Sequence, residues 1–256
     1  LIGKVREAGG DLAAKADEYG TRATTIVRDA VLPAYNAQIA AFEELRPQAV
    51  SDAGIHRLPQ GPEFYKAALA AWTTTTRTPD EIHQLGLDLV ETISAEMDTG
   101  LKALGYTTGT VAERMRALGK DPKYIVPNND AAKEKLIADL NRQVEEINAR
   151  LPEVFATMPK AKVEVKRVPA YIEAGAPGGY YQPAALDGSR PGAYYINLRD
   201  TAEWPTYTLP TLNFHEANPG HHFQNSVAQE AGDLPFVRRS MLWLSGYGEG
   251  WALYVE

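Results

Sequence analysis

Three of the five histidines in this 256-residue chain fall within one eight-residue window, together with a carboxylate. The window reads His215-Glu216-Ala217-Asn218-Pro219-Gly220-His221-His222. Neutral imidazole is a good donor to zinc, and a catalytic zinc site needs three protein ligands and one open position for water. The window therefore predicts the core of a zinc site and requires a fold in which these side chains converge.

The spacing of the histidines conflicts with an unbroken helix. In the usual His-Glu-x-x-His helix the two ligands are four residues apart, and the Glu beside the first is the general base. Here the second histidine follows His215 by six or seven residues, which an unbroken helix would place roughly 9 to 10.5 Å along its axis. Pro219 crowds the carbonyl of His215 and disfavours helical dihedrals at Asn218, so we predict a broken or bulged helix. His221 takes the second ligand position if two residues loop out, and His222 takes it if three do.

A third ligand is expected in residues 246–256, which contain two carboxylates. Glu249 is the candidate, because the glycines on either side of it allow a close approach of the backbone and a carboxylate completes a His-His-Glu set. Glu256 lies seven residues later on the same helix face, so we predict that it orients a ligand histidine. The structural alternatives are a helix-start carboxylate at Glu249 and a solvated surface charge at Glu256.

The stretches HEANPGHHFQ and EGWALYVE resemble the signatures of the domain-of-unknown-function 885 family, whose members look like relatives of the gluzincin-type helical zinc peptidases. The resemblance extends to residues 58–90 and 187–200, and so covers most of the chain from about residue 55. It implies a mainly helical, zinc-metallopeptidase-like fold, and it implies no particular substrate. The residues that it places at the metal are His215, Glu216, His221 or His222, and Glu249.

The patterning along the chain predicts a mainly α protein with a small antiparallel β-sheet. We assign residues 1–160 to a helical region, 161–200 to a small sheet or hairpin and 201–256 to the metal-site helices, all within one domain. Thr78-Pro79-Asp80-Glu81 combines an N-cap, a proline at the first helical position and a Glu at the third, which predicts a helix to about Leu104. Residues 162–168 alternate polar with apolar side chains and form the clearest strand. Further helices are predicted in residues 1–48, with an interruption near Pro33, and at about 63–75, 111–118 and 130–150.

Two pairs of tyrosines flank the turn at residues 187–192 and belong to the predicted hairpin. Two interpretations stay open for this region. One is an edge strand that pairs with an extended peptide substrate, and the other is structural pairing with half-buried tyrosines. In the first interpretation the substrate-binding candidates are Tyr180, Tyr181, Tyr194, Tyr195 and Arg190.

Composition narrows the classes of partner and metal donor. A net charge of −7 argues against nucleic acid, and no apolar run approaches the ~20 residues that span a bilayer. The chain has no cysteine, which leaves histidine and carboxylate as metal donors. No GxSxG, Walker-type or post-strand GxGxxG motif supports a serine hydrolase, an NTPase or a dinucleotide-binding protein. The compartment stays open, since export and a cytoplasmic location both fit.

The two ends of the sequence predict that the protein continues beyond them. The sequence begins at Leu1 without a methionine and stops at Glu256, inside the helix expected to carry the third ligand. We therefore expect a piece of a longer protein, in which an additional C-terminal segment or a second chain completes the site.

The predicted activity is zinc-dependent hydrolysis of a peptide or another amide at one Zn²⁺ site, with another divalent metal as the alternative. Glu216 is the predicted general base, and Tyr247 or one of the paired tyrosines is the candidate donor to the developing oxyanion. Non-haem iron also uses two histidines and a carboxylate, but the His-Glu pair favours zinc because it supplies a base. The second hypothesis is a catalytically inactive peptidase-like fold that binds peptides or a partner protein.

Overall fold

The computed structural model describes residues 2–7 and 9–256, and these fall into two compact units with the boundary between residues 61 and 62. Most of the chain is helical and one small sheet is present, which confirms the predicted α+β class. Within the described residues, no helix is both long enough and apolar enough to cross a bilayer. The helices are α1 (Ile2–Glu7), α2 (Gly10–Ala14), α3 (Ala16–Ile26), α4 (Leu32–Leu45), α5 (Gly61–Thr73), α6 (Pro79–Ala103), α7 (Val111–Gly119), α8 (Asp130–Arg150), α9 (Leu209–Glu216), α10 (His221–Glu230), α11 (Phe236–Ser240) and α12 (Ser245–Tyr254), and the strands are β1 (Val163–Arg167), β2 (Gly179–Gln182) and β3 (Gly192–Ile196). The three regions assigned from the sequence do not coincide with the two units, and that finer division stays a prediction.

The first unit contains α1 to α4, which correspond to the helical pattern of residues 1–48. The predicted interruption is a π-helical segment at Val27–Val31, and Pro33 lies in the first turn of the helix that follows. A proline within a helix crowds the carbonyl four residues earlier, here that of Asp29, and removes its hydrogen bond. The helical hydrogen bonds in this segment span five residues instead of four, and the helix then continues as α4.

Helix α6 begins at the position predicted from its capping residues. The Thr78 hydroxyl accepts from the backbone N–H of Glu81, and the Glu81 carboxylate accepts from the backbone N–H of Thr78 at 2.7 Å. The helix ends at Ala103, one residue before the predicted end. Thr110 and Glu113 form the same reciprocal pair at the start of α7.

The sheet has the strand order β1-β3-β2 and is mixed. The predicted hairpin is present, because β2 and β3 are antiparallel, with Tyr181 opposite Tyr194 and Tyr180 opposite Tyr195. Strand β1 pairs with β3 in parallel, so the sheet is not antiparallel throughout as expected. Parallel neighbours need a long crossover connection, and residues 168–191 provide one that includes β2 itself.

The core lies where β3, the central strand, packs under α8 and α9. Successive side chains of a strand point to opposite faces. Tyr194 is accordingly buried in the core, whereas Tyr195 stacks on Tyr180 on the other face, with ring centroids 5.1 Å apart. This packing holds the end of α9, where the histidine window begins, against the sheet. The buried residues of the core are Leu136, Leu140, Val144, Val165, Tyr194, Ile196, Leu198, Leu209 and Ala217.

An ion pair at the end of β1 gives a pH-dependent contribution to stability. Arg167 Nε lies 2.6 Å from Glu173 Oε1, and the Glu173 side chain is 6% exposed. Arg167 lowers the pKa of Glu173 below its usual value of 4.5. The pair therefore stabilises the fold above that pH, and its contribution is lost as the pH falls through the lowered pKa.

We expect Glu173→Gln to lower the free energy of unfolding by about 1.5 to 3 kcal/mol at pH 7, because a hydrogen-bonded charge is removed from a buried site. Denaturant unfolding at a series of decreasing pH values should show this difference shrinking below pH 4.5. Glu164→Gln is the matched control on β1, since its pair with Lys166 is exposed and contributes about 0 to 1 kcal/mol. A deficit that stays constant with pH would contradict the assignment.

Candidate metal centre

A break between α9 and α10 brings His215 and His221 together. Helix α9 ends at Glu216 and α10 begins at His221, so residues 217–220 form the interruption predicted around the proline. Ala217, with φ −96° and ψ −112°, and Gly220, with φ −78° and ψ −129°, are not helical. The two imidazole rings lie with their centroids 4.7 Å apart and their planes at 86°.

Side chains from two other helices hold this linker. Asn218 Nδ2 donates to Asn148 Oδ1 on α8 at 2.7 Å. Trp251 Nε1 on α12 donates to the carbonyl oxygen of Pro219 at 2.8 Å. The linker is therefore hydrogen-bonded both to α8, which packs on the sheet, and to α12, which carries the third candidate ligand.

Gly220 makes the closest backbone approach at the break. A Cβ at this position would lie 1.9 Å from the carbonyl oxygen of His215 and 2.3 Å from that of Phe214. No side chain fits in this space, and only glycine dispenses with Cβ. The start of α10 can therefore pack directly against the end of α9.

Glu249 on α12 completes the group. Its Oε2 lies 3.5 Å from His215 Nε2 and 3.5 Å from His221 Nε2. The donor atoms of the three residues all lie within 4.8 Å of one another. Two imidazole nitrogens and one carboxylate oxygen form a known donor set of catalytic zinc sites. His215, His221 and Glu249 could therefore hold one metal ion.

The surroundings of the two ligand histidines differ. Burial lowers the pKa of His221, opposed by the nearby Glu249, and this favours the neutral imidazole that binds metals. On His215, the ring atom Nδ1 lies 2.8 Å from Glu256 Oε1. Ligand histidines commonly donate their second N–H to a carboxylate, which fixes the tautomer and the ring orientation. This contact is the one expected from the orienting role predicted for Glu256.

His222, the alternative second ligand, is directed elsewhere. Its side chain is fully buried, Nε2 donates to the carbonyl oxygen of Ala161 at 3.0 Å, and Nδ1 accepts from the Tyr181 hydroxyl at 3.0 Å. Burial lowers the pKa of His222 to about 4, so the ring is neutral. Both ring nitrogens have partners, and the structure brings His221 rather than His222 to the other two donors.

Glu216 lies beside the group at the end of α9. Its residue exposure is 7%. Burial raises its pKa to about 7, with a smaller opposing effect from His215 and a raising effect from Glu249. A carboxyl group in such an environment exchanges a proton near neutral pH, as a general base must.

The four paired tyrosines are divided between the two faces of the sheet. The Tyr181 hydroxyl is bound to His222, and Tyr194 is fully buried, with no hydrogen-bond partner for its hydroxyl among the described residues. Tyr180 and Tyr195 form the stacked pair on the opposite face. The structure therefore does not bring these four candidates to one surface.

The other two candidates lie outside the core. Tyr247 is 57% exposed and precedes Glu249 by two residues on α12. The Arg190 guanidinium donates to the carbonyl oxygens of Pro183 and Pro191 and closes the turn between β2 and β3.

Trp243 is a residue of the site that the sequence did not reveal. Its ring centroid lies 5.9 Å from that of His221. A Cβ at Gly248 would lie 2.4 Å from the Trp243 ring, whereas one at Gly250 would meet nothing within 4 Å. The two glycines beside Glu249 were expected to allow a close approach of the backbone to the metal. Gly248 instead makes room for the indole ring of Trp243. No spacing rule identifies such a tryptophan.

Comparisons with known proteins connect this geometry to a family. A family model described as "Bacterial protein of unknown function (DUF885)" matches residues 2–256. A crystal structure described as "the putative lipoprotein from Colwellia psychrerythraea" is 40% identical, with a TM-score of 0.93, and the match covers 99% of this chain. The match covers 44% of that protein, so this chain spans less than half of its length. No curated protein matches the chain.

Proposed function

The chain belongs to the DUF885 family of bacterial proteins of unknown function, and from this premise we propose that it is a zinc-dependent hydrolase of peptide or other amide bonds. The observation that carries the proposal is the convergence of His215, His221 and Glu249 next to the buried carboxyl group of Glu216. Three protein donors leave the fourth position of a tetrahedral zinc site for water, and the carboxyl group is the base that hydrolysis requires.

The donor set favours zinc among the divalent metals. Magnesium and calcium prefer oxygen ligands throughout, whereas zinc combines imidazole with carboxylate. Iron accepts the same donors, but a base next to the first ligand is characteristic of hydrolysis. When bound, a zinc ion supplies Lewis acidity that lowers the pKa of water towards about 7 and polarises a carbonyl group.

The residues around the group have separate roles in this proposal. Glu216 takes the proton of the attacking water and transfers it to the leaving amine. Glu256 holds the tautomer of His215 in which Nε2 is free to bind the metal. Tyr247, exposed on the same helix as Glu249, donates a hydrogen bond to the developing oxyanion.

The edge strand β2 is proposed to bind an extended substrate. It has β3 on one side, and its other side is an edge of the sheet. Burial raises the pKa of Glu216, and the backbone N–H of Tyr181 on this strand opposes that rise, so the strand lies next to the proposed base. Pairing of a peptide with such an edge uses main-chain hydrogen bonds and tolerates varied side chains.

Digestion of a peptide mixture tests the proposal. Purified protein, as the full natural chain, should contain about one zinc per site and should cleave peptides detectably by mass spectrometry. Chelation should abolish cleavage, and added zinc should restore it. Protein that keeps its metal and binds peptides but cleaves none of them would contradict the hydrolase and support the inactive peptide-binding alternative.

A further inference from the structure

An apolar cleft with a volume of about 790 Å³ lies against the helices that carry the metal group. It is bounded by α10, α11, α12 and the loop at residues 155–157. Clefts of roughly 300 to 1,000 Å³ are the usual size of small-molecule sites. This one is large enough for a bulky side chain together with part of its backbone.

Aromatic rings form one wall of the cleft. The ring centroid of Phe155 lies 4.6 Å from that of Phe223 and 6.0 Å from that of Trp251. Val227 and Leu244 extend the apolar lining. Such a surface favours an aromatic or branched aliphatic group, because its burial removes apolar area from water and allows contacts between rings.

The charge of the lining indicates which charge a ligand of the cleft carries. Among the described residues that line it, Arg238 alone carries a charge, in a chain whose net charge is −7. A guanidinium pairs with a carboxylate through two parallel hydrogen bonds. The lining therefore fits an apolar ligand with a carboxylate and disfavours a cationic one.

The cleft and the metal group share two helices. On α10, Phe223 follows His221 by two residues, and on α12, Tyr247 precedes Glu249 by two residues. Trp243 packs on the imidazole of His221, and the next residue, Leu244, lines the cleft. None of the metal donors lines the cleft, so a ligand bound there lies beside the metal group and not at it.

We propose that this cleft is a binding site for an N-acylated amino acid, with the bulky apolar side chain against the aromatic wall and the free α-carboxylate on Arg238. The ligand class is an aromatic or large aliphatic amino acid with an acylated amino group, and the inference does not depend on the proposed hydrolase.

Ligand binding to the Glu216→Gln protein, as the full natural chain, tests the proposal without turnover. The probe is N-acetyl-phenylalanine, followed by tryptophan fluorescence and by saturation-transfer NMR. We expect N-acetyl-phenylalanine to bind saturably. N-acetyl-phenylalanine amide, which lacks the charge, and N-acetyl-glycine, which lacks the ring, should each bind more weakly by about tenfold or more. Because binding is observed without cleavage, failure of the hydrolase assay and failure of this assay are separate results.

Two variants and one control complete the test. Arg238→Gln should remove the preference for the acid over the amide, and Ala228→Trp, on the α10 wall, should abolish binding of both. Arg116→Gln, an exposed arginine outside the cleft, should change neither. Arg238→Gln needs no rearrangement of packing, so the test holds even if Ala228→Trp fails to fold. Equal affinity for acid and amide, or no saturable binding because another segment fills the cleft, would overturn the proposal.

Discussion

Glu216→Gln is expected to keep the metal and the fold while losing turnover by about 10²- to 10⁴-fold, the usual contribution of a general base. Glutamine preserves the shape of the side chain but cannot take a proton from water. Glu216 is 7% exposed, and burial raises its pKa to about 7. Removing a charge that burial disfavours should leave the thermal stability equal or slightly higher.

The measurement compares kcat, zinc content and melting temperature for the two proteins. Glu203→Gln is the matched control, because this glutamate is exposed on the 3₁₀ turn after β3 and outside the metal group. Its kcat should equal that of the natural protein. Turnover within a factor of a few in Glu216→Gln, at full zinc content, would remove Glu216 from the mechanism.

Alanine at His215, His221 or Glu249 is expected to abolish stoichiometric zinc binding, because each removes one of three donors that lie within 4.8 Å of one another. Glu256→Gln should weaken zinc binding less, by about 10- to 100-fold, as is usual when the partner of a ligand histidine is lost. Competition with a chromophoric chelator, together with elemental analysis, gives this ranking. Stoichiometric zinc in the His215→Ala protein would contradict the assignment.

His222→Ala separates metal binding from folding. It leaves the carbonyl oxygen of Ala161 and the Tyr181 hydroxyl without their partner in a buried site, at a cost of about 1 to 3 kcal/mol for each unsatisfied group. We expect a lower melting temperature but unchanged zinc affinity in the folded fraction. A loss of zinc affinity equal to that of His221→Ala, with the fold intact, would show that the two histidines are not distinguished in this way.

Short-range signals predicted the elements that depend on neighbouring residues. The capping box at Thr78 and Glu81 defines the start of α6 through contacts three residues apart. Pro219 predicts the break after α9 for a similarly local reason, since it cannot donate to the carbonyl of His215. Both features are properties of a few consecutive residues, and the structure confirms both.

The choice between His221 and His222 depends on distant parts of the chain. The partners of His222, Ala161 and Tyr181, lie 61 and 41 residues earlier. Spacing within the window permits either histidine to reach the metal group, so no local argument decides between them. The packing of α10 against the sheet makes the selection.

The direction of β1 is a similar case. The alternation of residues 162–168 indicates which side chains share a face, because the side-chain period of a strand is two. It carries no information about which strand lies alongside or in which direction. The parallel pairing of β1 with β3 follows from the crossover through β2, which depends on the whole connection.

Gly220 bears on how sites of this kind can be recognised in other genomes. A pattern search for two histidines four residues apart passes over this chain, although its two imidazole rings lie with their centroids 4.7 Å apart. The linker brings the start of the second helix against the last carbonyl oxygens of the first helix. The separation there leaves no room for a Cβ at Gly220. A useful search pattern would therefore give the glycine before the second histidine the same weight as the histidines themselves.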